Sequence, residues 1–421
     1  MMRRGGVVAG LLLASQLVGR PVSGQPVSAS RAESVRAFVG ATLIDGTTRA
    51  PVPQSVLLVR DGRVIAAGPA ATVRIPAGAE RIDLRGRYVI PGLINAHGHV
   101  LRLSDRDRYA AYGVTTVWSL GDEPEAVLDA RAERAQPAPG RTRVWAAGPV
   151  LSPATPAEAR TLVAAAHARG VDVIKIRVDD NLGTTRKMSR DVSRAVITEA
   201  HALGLRVAVH FYYRDDARDL LASGADFLGH SVRDTLVDDA FVSAVRASGR
   251  CYAPTLMREV STWVYGETPD FFSDPLFQAH ADAEWVSRLR DPEQQRRTRE
   301  SASARTYRAQ FDVALENLRR LFMGGVPVVL GTDTGPTGRF QGYFELMELE
   351  LLVAAGLAPR DAIASATRVA ADCMGLGDEL GTLTPGRRAD FVVLEGNPLA
   401  DIRNVRRQVG TYIGGVPVPS R

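Results

Sequence analysis

The chain has 421 residues, 45% of them apolar and 24% charged, enough for one large core with a smaller companion and unlike a disordered chain or a coiled coil. Formal net charge is +5, but the arginines are scattered instead of forming runs with interleaved aromatics, which argues against a nucleic-acid surface. Two cysteines, Cys251 and Cys373, are too few for a disulfide framework and are expected to be buried thiols.

Met1-Met2-Arg3-Arg4, an apolar stretch from Val7 to Val18 and the small residues around Val22-Ser23-Gly24 read as a secretory signal over residues 1–24. The expected location of the mature protein is therefore the periplasm or the exterior, with no membrane attachment after cleavage. Residues 36–90 alternate short apolar stretches with turn residues such as Asp45-Gly46 and Asp61-Gly62, the pattern of short antiparallel strands. Residues 379–421 repeat that style. The two ends together are expected to form one small β-sandwich domain.

Between them, residues 91–378 are expected to form an α/β domain, a (β/α)8 TIM barrel. Its apolar or β-branched stretches lie near 88–97, 114–120, 143–147, 172–178, 206–210, 226–230, 251–256 and 326–333. They alternate with amphipathic helical segments such as Pro156 to Arg169 and Asp191 to Leu203. In such a barrel, function sits at the carboxyl ends of the strands. The long connection 257–325, with aromatic Trp263, Tyr265, Phe271, Phe272 and Trp285 and then a charged helical stretch, reads either as a lid over the mouth or as a solvated helical arm.

Strand one ends in His97-Gly98-His99, and residues two apart on a strand project to one side, so both imidazoles can reach one ion. Strands five and six end in His210 and His230, bringing four of the seven histidines to one face. Strand eight delivers Asp333 from an apolar run, where a nearby cation would offset the cost of burying its charge. Strand four carries Lys175. Only Lys175 and Lys187 among the 52 Lys and Arg residues are lysine, so a lysine inside an apolar strand points to a need for an amine that can lose its proton. A neutral lysine can add carbon dioxide to give a carbamate whose two oxygens bridge two ions.

This set, His97, His99, Lys175, His210, His230 and Asp333, resembles the amidohydrolase superfamily of binuclear metal hydrolases. The stretches Val89–His97, Gly331-Thr332-Asp333 and Leu380–Leu394 are similar to its imidazolonepropionase-like and Xaa-Pro or Xaa-Arg dipeptidase-like branch. The resemblance implies two divalent ions, with Zn2+ the expected metal. His97, His99 and Asp333 would hold one ion, His210 and His230 the other, and carboxylated Lys175 would bridge them. It further implies a hydroxide between the ions as nucleophile and Asp333 as the catalytic proton carrier.

The chain departs from the branch at Phe340-Gln341-Gly342 and at Tyr212, where those relatives usually carry histidines, and in a short loop from Val100 to Tyr112. Tyr212 or Tyr213 is left as a candidate donor to the substrate carbonyl. Arg177, Arg214 or Arg233 is a candidate partner for a substrate carboxylate. The expected activity is cleavage of an amide-type bond in a small molecule: a dipeptide, an N-acyl amino acid or a cyclic amide. The alternatives are a lactone, ester or phosphotriester hydrolase, or a non-catalytic binding protein on the same fold, against which the complete ligand set argues. A homo-oligomer is left open.

Overall fold

The computed structural model describes residues 35–419, so the signal expected over 1–24 lies outside the described residues. Three parallel strands, Leu93–Gly98, Val114–Ser119 and Arg143–Ala146, form one sheet. Five more, Val150–Leu151, Ile174–Val178, Val207–Phe211, Phe227–Gly229 and Cys251–Ala253, form a second parallel sheet in that order. Each of the seven stretches expected up to residue 256 thus contains one of these strands, Val150–Leu151 is an additional short strand, and all but Arg143–Ala146 lead into a connection that contains helix.

The eighth expected strand, 326–333, does not join a ladder. Pro327 has no N–H to donate and Asp333 turns into the left-handed region at φ 56°, so the stave makes isolated bonds instead. The Val329 N–H donates to the Tyr252 carbonyl (3.0 Å) and the Ala96 N–H to the Leu330 carbonyl (2.9 Å). On the other side, the Asp172 N–H donates to the Ala146 carbonyl (2.9 Å). No continuous strand ladder joins the two parallel sheets among the described residues.

Alternation along the strands gathers their side chains into layers. Ile94, Trp118, Val173, Ala208, Phe227, Cys251 and Val329 share one buried apolar cluster with Ala370, Ala371 and Met374. Lys175 lies two residues beyond Val173, His210 two beyond Ala208, and Asp333 four beyond Val329. The polar groups thus stand one layer above the apolar floor.

The helices follow their sequence signals. Pro156–Ala168 starts at Thr155, whose side chain accepts from the Glu158 N–H, with proline in its first turn. Arg190–Ala202 buries Val192, Val196, Ile197 and Ala200 along one face. The long connection contains Leu256–Val260, Pro275–His280, Ala283–Leu289, Pro292–Glu300 and Ala302–Met323. The last four begin at Asp274, Asp282, Asp291 and Ser301, each of which caps backbone N–H groups. This segment is not a solvated arm throughout, because Phe271, Phe272 and Phe277 pack against Phe340 and Phe344.

The expected first strand, 88–97, is divided at Gly92, where a Cβ would lie 2.2 Å from the Thr115 hydroxyl. Tyr88–Pro91 joins a five-stranded mixed sheet with Thr42–Leu43 from the N-terminal side and Phe391–Leu394, Gln408–Ile413 and Val416–Pro417 from the C-terminal side. A four-stranded sheet is formed by Arg36–Val39, Ser55–Arg60, Arg63–Pro69 and Glu80–Asp83. Phe38, Leu57, Val64, Val89, Leu383, Phe391 and Val393 share a core.

The cysteine expectation is corrected. Cys251 and Cys373 form a disulfide with 6.1 Å between their Cα atoms, tying the start of the Cys251–Ala253 strand to the end of the Arg368–Cys373 helix. At a sequence separation of 122, nothing local in the sequence announces the pair.

Candidate metal centre

Four histidines, Lys175 and Asp333 line one cavity of ≈ 170 Å³, together with Leu120, Val150, Arg177, Arg258 and Arg339. All six side chains singled out in the sequence therefore meet. His99 Nε2 lies 2.9 Å and His97 Nε2 3.7 Å from Asp333 Oδ1. One ligand atom from each of these three residues falls within 4.8 Å of the others, close enough for one metal ion. Lys175 Nζ stands 3.1 Å from His97 Nε2. The His97 and His230 ring centres are 4.6 Å apart, and those of His210 and His230 4.0 Å.

Each ring is held from behind. His99 donates from Nδ1 to the Gly121 carbonyl (2.9 Å), whose own N–H donates to Glu123 Oε1 (2.9 Å). His210 donates from Nε2 to Asp179 Oδ2 (2.8 Å), leaving Nδ1 available. His230 Nδ1 is hydrogen bonded to Thr255 Oγ1 (2.8 Å), and its Nε2 is buried with no hydrogen-bond partner. Such outer partners fix the tautomer and direction of a ligating imidazole. Two close approaches hold His97. A Cβ on Gly229 would lie 2.7 Å from His97 Nδ1, and one on Gly331 would lie 2.8 Å from His97 Cβ. The backbone is strained where it delivers ligands: φ is 112° at His230, 49° at Thr255 and 56° at Asp333.

The electrostatics favour ligand forms. Burial pushes the Lys175 amine down to about 8 and the His210 imidazolium down to about 3. Burial also holds His97 and His230 well below the usual imidazole range. Burial raises Asp333, but the Arg339 guanidinium and His99 outweigh it and keep the carboxyl well below its ordinary value. Burial lowers His99 too, but its hydrogen bond to Asp333 and that carboxylate's charge outweigh it and raise the imidazole, so the set presents three neutral imidazoles, an ionised carboxylate and an amine poised to lose its proton. Imidazole nitrogen with carboxylate oxygen is a donor set suited to zinc and similar divalent ions, and a buried imidazole nitrogen without a partner is the atom such an ion would satisfy.

Beneath the site, Glu345 Oε1 accepts from Asn95 Nδ2 (2.5 Å) and from the hydroxyls of Thr332 (2.7 Å) and Thr334 (2.6 Å). Asn95 Oδ1 in turn accepts the His97 N–H (2.9 Å). One buried carboxylate thus braces both the His97 and the Asp333 segments.

Of the candidate substrate contacts, Arg177 lines the cavity, while Tyr212, Tyr213, Arg214 and Arg233 are not among its lining residues. Tyr212 directs its hydroxyl to Gln310, Tyr213 to Asp180 (3.0 Å), and Arg214 points toward Asp215 and Asp238. Arg233 is buried over the Tyr212 ring, its guanidinium 4.5 Å from the ring centre. The residues that sequence reasoning missed are Asp179, Arg258 and Arg339. Asp179 follows directly on the Lys175 strand and could have been found there. In a chain so rich in arginine, Arg258 and Arg339 carry no local signal. Phe340 belongs to the aromatic packing, and Gln341 Nε2 donates to the His99 carbonyl (3.3 Å).

Residues 88–418 match the model of the amidohydrolase family. The chain is 27% identical over 383 residues to an imidazolonepropionase of Rhizorhabdus wittichii, covering 81% of this chain and 88% of that protein. It is also similar to the crystal structure of a Bifidobacterium longum protein to which prolidase activity is ascribed. The TM-score there is 0.75 at 27% identity, over 92% of this chain and 95% of that one. A Xaa-Pro dipeptidase crystallised with methionine in its active site shares the fold, with a TM-score of 0.73 at 19% identity over 91% and 99% of the two chains. The chain belongs to the amidohydrolase family, on its imidazolonepropionase-like branch.

Proposed function

We propose that this protein is an exported, metal-dependent hydrolase that cleaves an amide-type bond in a dipeptide, an N-acyl amino acid or a cyclic amide. The observation that carries the reading is His230 Nε2, buried and unpartnered beside His97, His210 and Lys175. An unsatisfied buried polar atom costs about 1–3 kcal/mol, and a bound ion removes that cost.

His97, His99 and Asp333 would hold one divalent ion and His210 and His230 a second, with Zn2+ suited to both. Lys175 would join them as a carbamate: its neutral Nζ adds to carbon dioxide, releases a proton and gains two oxygens. The depressed amine pKa makes the neutral form accessible near neutral pH. When bound, such ions polarise a carbonyl and make water acidic enough to supply hydroxide near neutral pH. Asp333, kept ionised by Arg339 and His99, accepts the proton of the attacking water and returns it to the leaving nitrogen. Asp179 and Thr255 keep His210 and His230 turned toward their ligand.

On this reading the two parallel sheets and the 326–333 stave are parts of one (β/α)8 barrel spanning 91–378. The sheets drawn from 36–90 and 379–421 form a small β-sandwich beside it. The scattered hydrogen bonds at both seams and the shared apolar cluster support the barrel, and the common core of the two outer sheets supports the sandwich. Export rests on residues 1–24, and the Cys251–Cys373 disulfide fits an oxidising compartment.

The test is to load the mature protein with zinc and assay a library of N-acyl amino acids, dipeptides and cyclic amides. Hydrolysis that is lost on chelation and restored by zinc is expected. Turnover confined to lactones or phosphotriesters would overturn the amide assignment.

A further inference from the structure

The cavity that gathers the six candidate ligands encloses ≈ 170 Å³, less than the roughly 300–1,000 Å³ of ordinary small-molecule sites. Two ions and a carbamate would take part of that space, so the body of a substrate has to lie beyond it. A second cavity of ≈ 300 Å³ opens alongside, between Ser152-Pro153-Ala154 and the loop 179–189. The two cavities share Arg177, and Val150 on the wall of the first leads within two residues into the wall of the second. Taken together they reach the usual size range.

Arg177 stands at the junction because it follows Lys175 by two residues on one strand, so both side chains point to the same side. Its Nη2 is held by Asp179 Oδ2 (3.2 Å) and by Asn181 Oδ1. Its Nε is buried with no hydrogen-bond partner, a donor that a group lying across the junction would satisfy. The outer wall is strained: Asn181 and Leu182 are successive left-handed residues at φ 51° and 59°, a region that a side chain as bulky as leucine rarely adopts.

The charges on this wall cancel in pairs. Arg177 faces Asp179 (3.2 Å) and Lys187 faces Asp216 (2.7 Å). Arg186 shares the loop with Asp180, whose Oδ1 accepts from the Gly183 N–H (3.0 Å) and the Tyr213 hydroxyl (3.0 Å). The Asp179 carboxylate is fully engaged by Arg177, His210 and the Asn181 N–H, and Asn181 Oδ1 by Arg177. A wall without net charge, with these acceptors used and a buried donor left over, suits an uncharged group that brings its own oxygen acceptor. An amide carbonyl is such a group.

The direction follows from Asp333, which returns its proton to the leaving nitrogen and so has that side of the scissile bond against it. On the barrel reading, the 326–333 stave and the Ile174–Val178 strand stand four apart, on opposite sides of the mouth. The acyl side of the substrate therefore extends toward Arg177. We propose that the second cavity is the acyl-side subsite, taking an acyl group that carries a further amide in preference to a short one such as acetyl. The substrate class is then N-acyl dipeptides and similar peptide-like amides. This deepens the hydrolase reading above and rests on it for the direction of the scissile bond.

The test uses two ligands without a carbonyl at the scissile position, N-ethyl-leucine and N-(2-acetamidoethyl)-leucine. Each is titrated calorimetrically into the zinc-loaded protein, with metal content measured alongside. The two differ only by the added acetamide, so every contact to the shared leucine part cancels in their ratio. The longer ligand is expected to bind about 10- to 100-fold more tightly, the worth of a hydrogen bond to a charged donor. Ala154→Trp and Met188→Trp, which put bulk into the second cavity, should each bring the ratio to within about 3-fold at unchanged metal content. Equal affinities in the unaltered protein would overturn the proposal, as would no binding of either ligand or a preference that survives both tryptophan variants. If the preference holds and depends on the cavity but no amide is hydrolysed, the hydrolase reading fails and the binding site stands. If amides are hydrolysed without the preference, only the subsite falls.

Discussion

The two ends of the parallel strands have opposite characters. At their carboxyl ends lie four histidines, Lys175, Asp333 and the arginines, with positive φ at His230, Thr255 and Asp333 and with unpartnered ring nitrogens on His97 and His230. Toward their amino ends the same strands present Ile94, Val173, Ala208, Phe227 and Val329 to one another, covered by Ala370, Ala371 and Met374 and fastened by the Cys251–Cys373 disulfide. Strain and unsatisfied polar atoms cost free energy, and burial of the apolar layer offsets it. The lesson is a division of labour along each strand: one end supplies stability so that the other can hold groups in a form only a ligand would complete.

Changes at the carboxyl end should leave the fold intact and remove function. Lys175→Arg cannot form a carbamate and is expected to bring metal content below two ions per chain by elemental analysis. Turnover should fall by on the order of 10³-fold or more, since the ions supply several kcal/mol of transition-state stabilisation. Full activity in that variant would refute the bridging role. Asp333→Asn is expected to lower kcat by about 10²- to 10⁴-fold in steady-state assays, with the circular dichroism spectrum unchanged. Asp179→Asn weakens the hold on His210 and should reduce metal affinity by about 10- to 100-fold in competition with a fluorescent chelator. An unchanged affinity would show that the Asp179 contact orients nothing.

At the other end the expectation reverses. Cys251→Ser should lower the unfolding free energy by about 2–4 kcal/mol in a denaturant titration, with kcat and KM of the folded enzyme preserved. A loss of activity at full stability would mean that the two ends are coupled more tightly than the packing implies.

The six candidate ligands were legible because they lie in or directly after apolar stretches, and a period of two sets which side chain joins the floor and which the mouth. Val173 and Lys175, or Ala208 and His210, show it directly. Lys175 stood out because the chain otherwise uses arginine almost everywhere. Asp179, Arg258 and Arg339 act from the segments after strands, whose direction is set by tertiary packing that no local pattern encodes. The expected strand over 88–97 was misjudged for a related reason: Gly92 must pass against Thr115, and the chain changes sheets there. The segment 326–333, expected as the eighth strand, forms no ladder, because Pro327 and the turn at Asp333 leave it only isolated bonds. The disulfide joins residues too far apart for spacing to reveal.

The most direct test is metal analysis of the purified mature protein paired with hydrolysis of an N-acyl amino acid before and after exhaustive chelation. Two divalent ions per chain, with activity abolished by the chelator and restored by zinc, are the expected result. An enzyme that works equally well after every ion has been stripped would contradict the convergence of His97, His99, Lys175, His210, His230 and Asp333 on a metal centre.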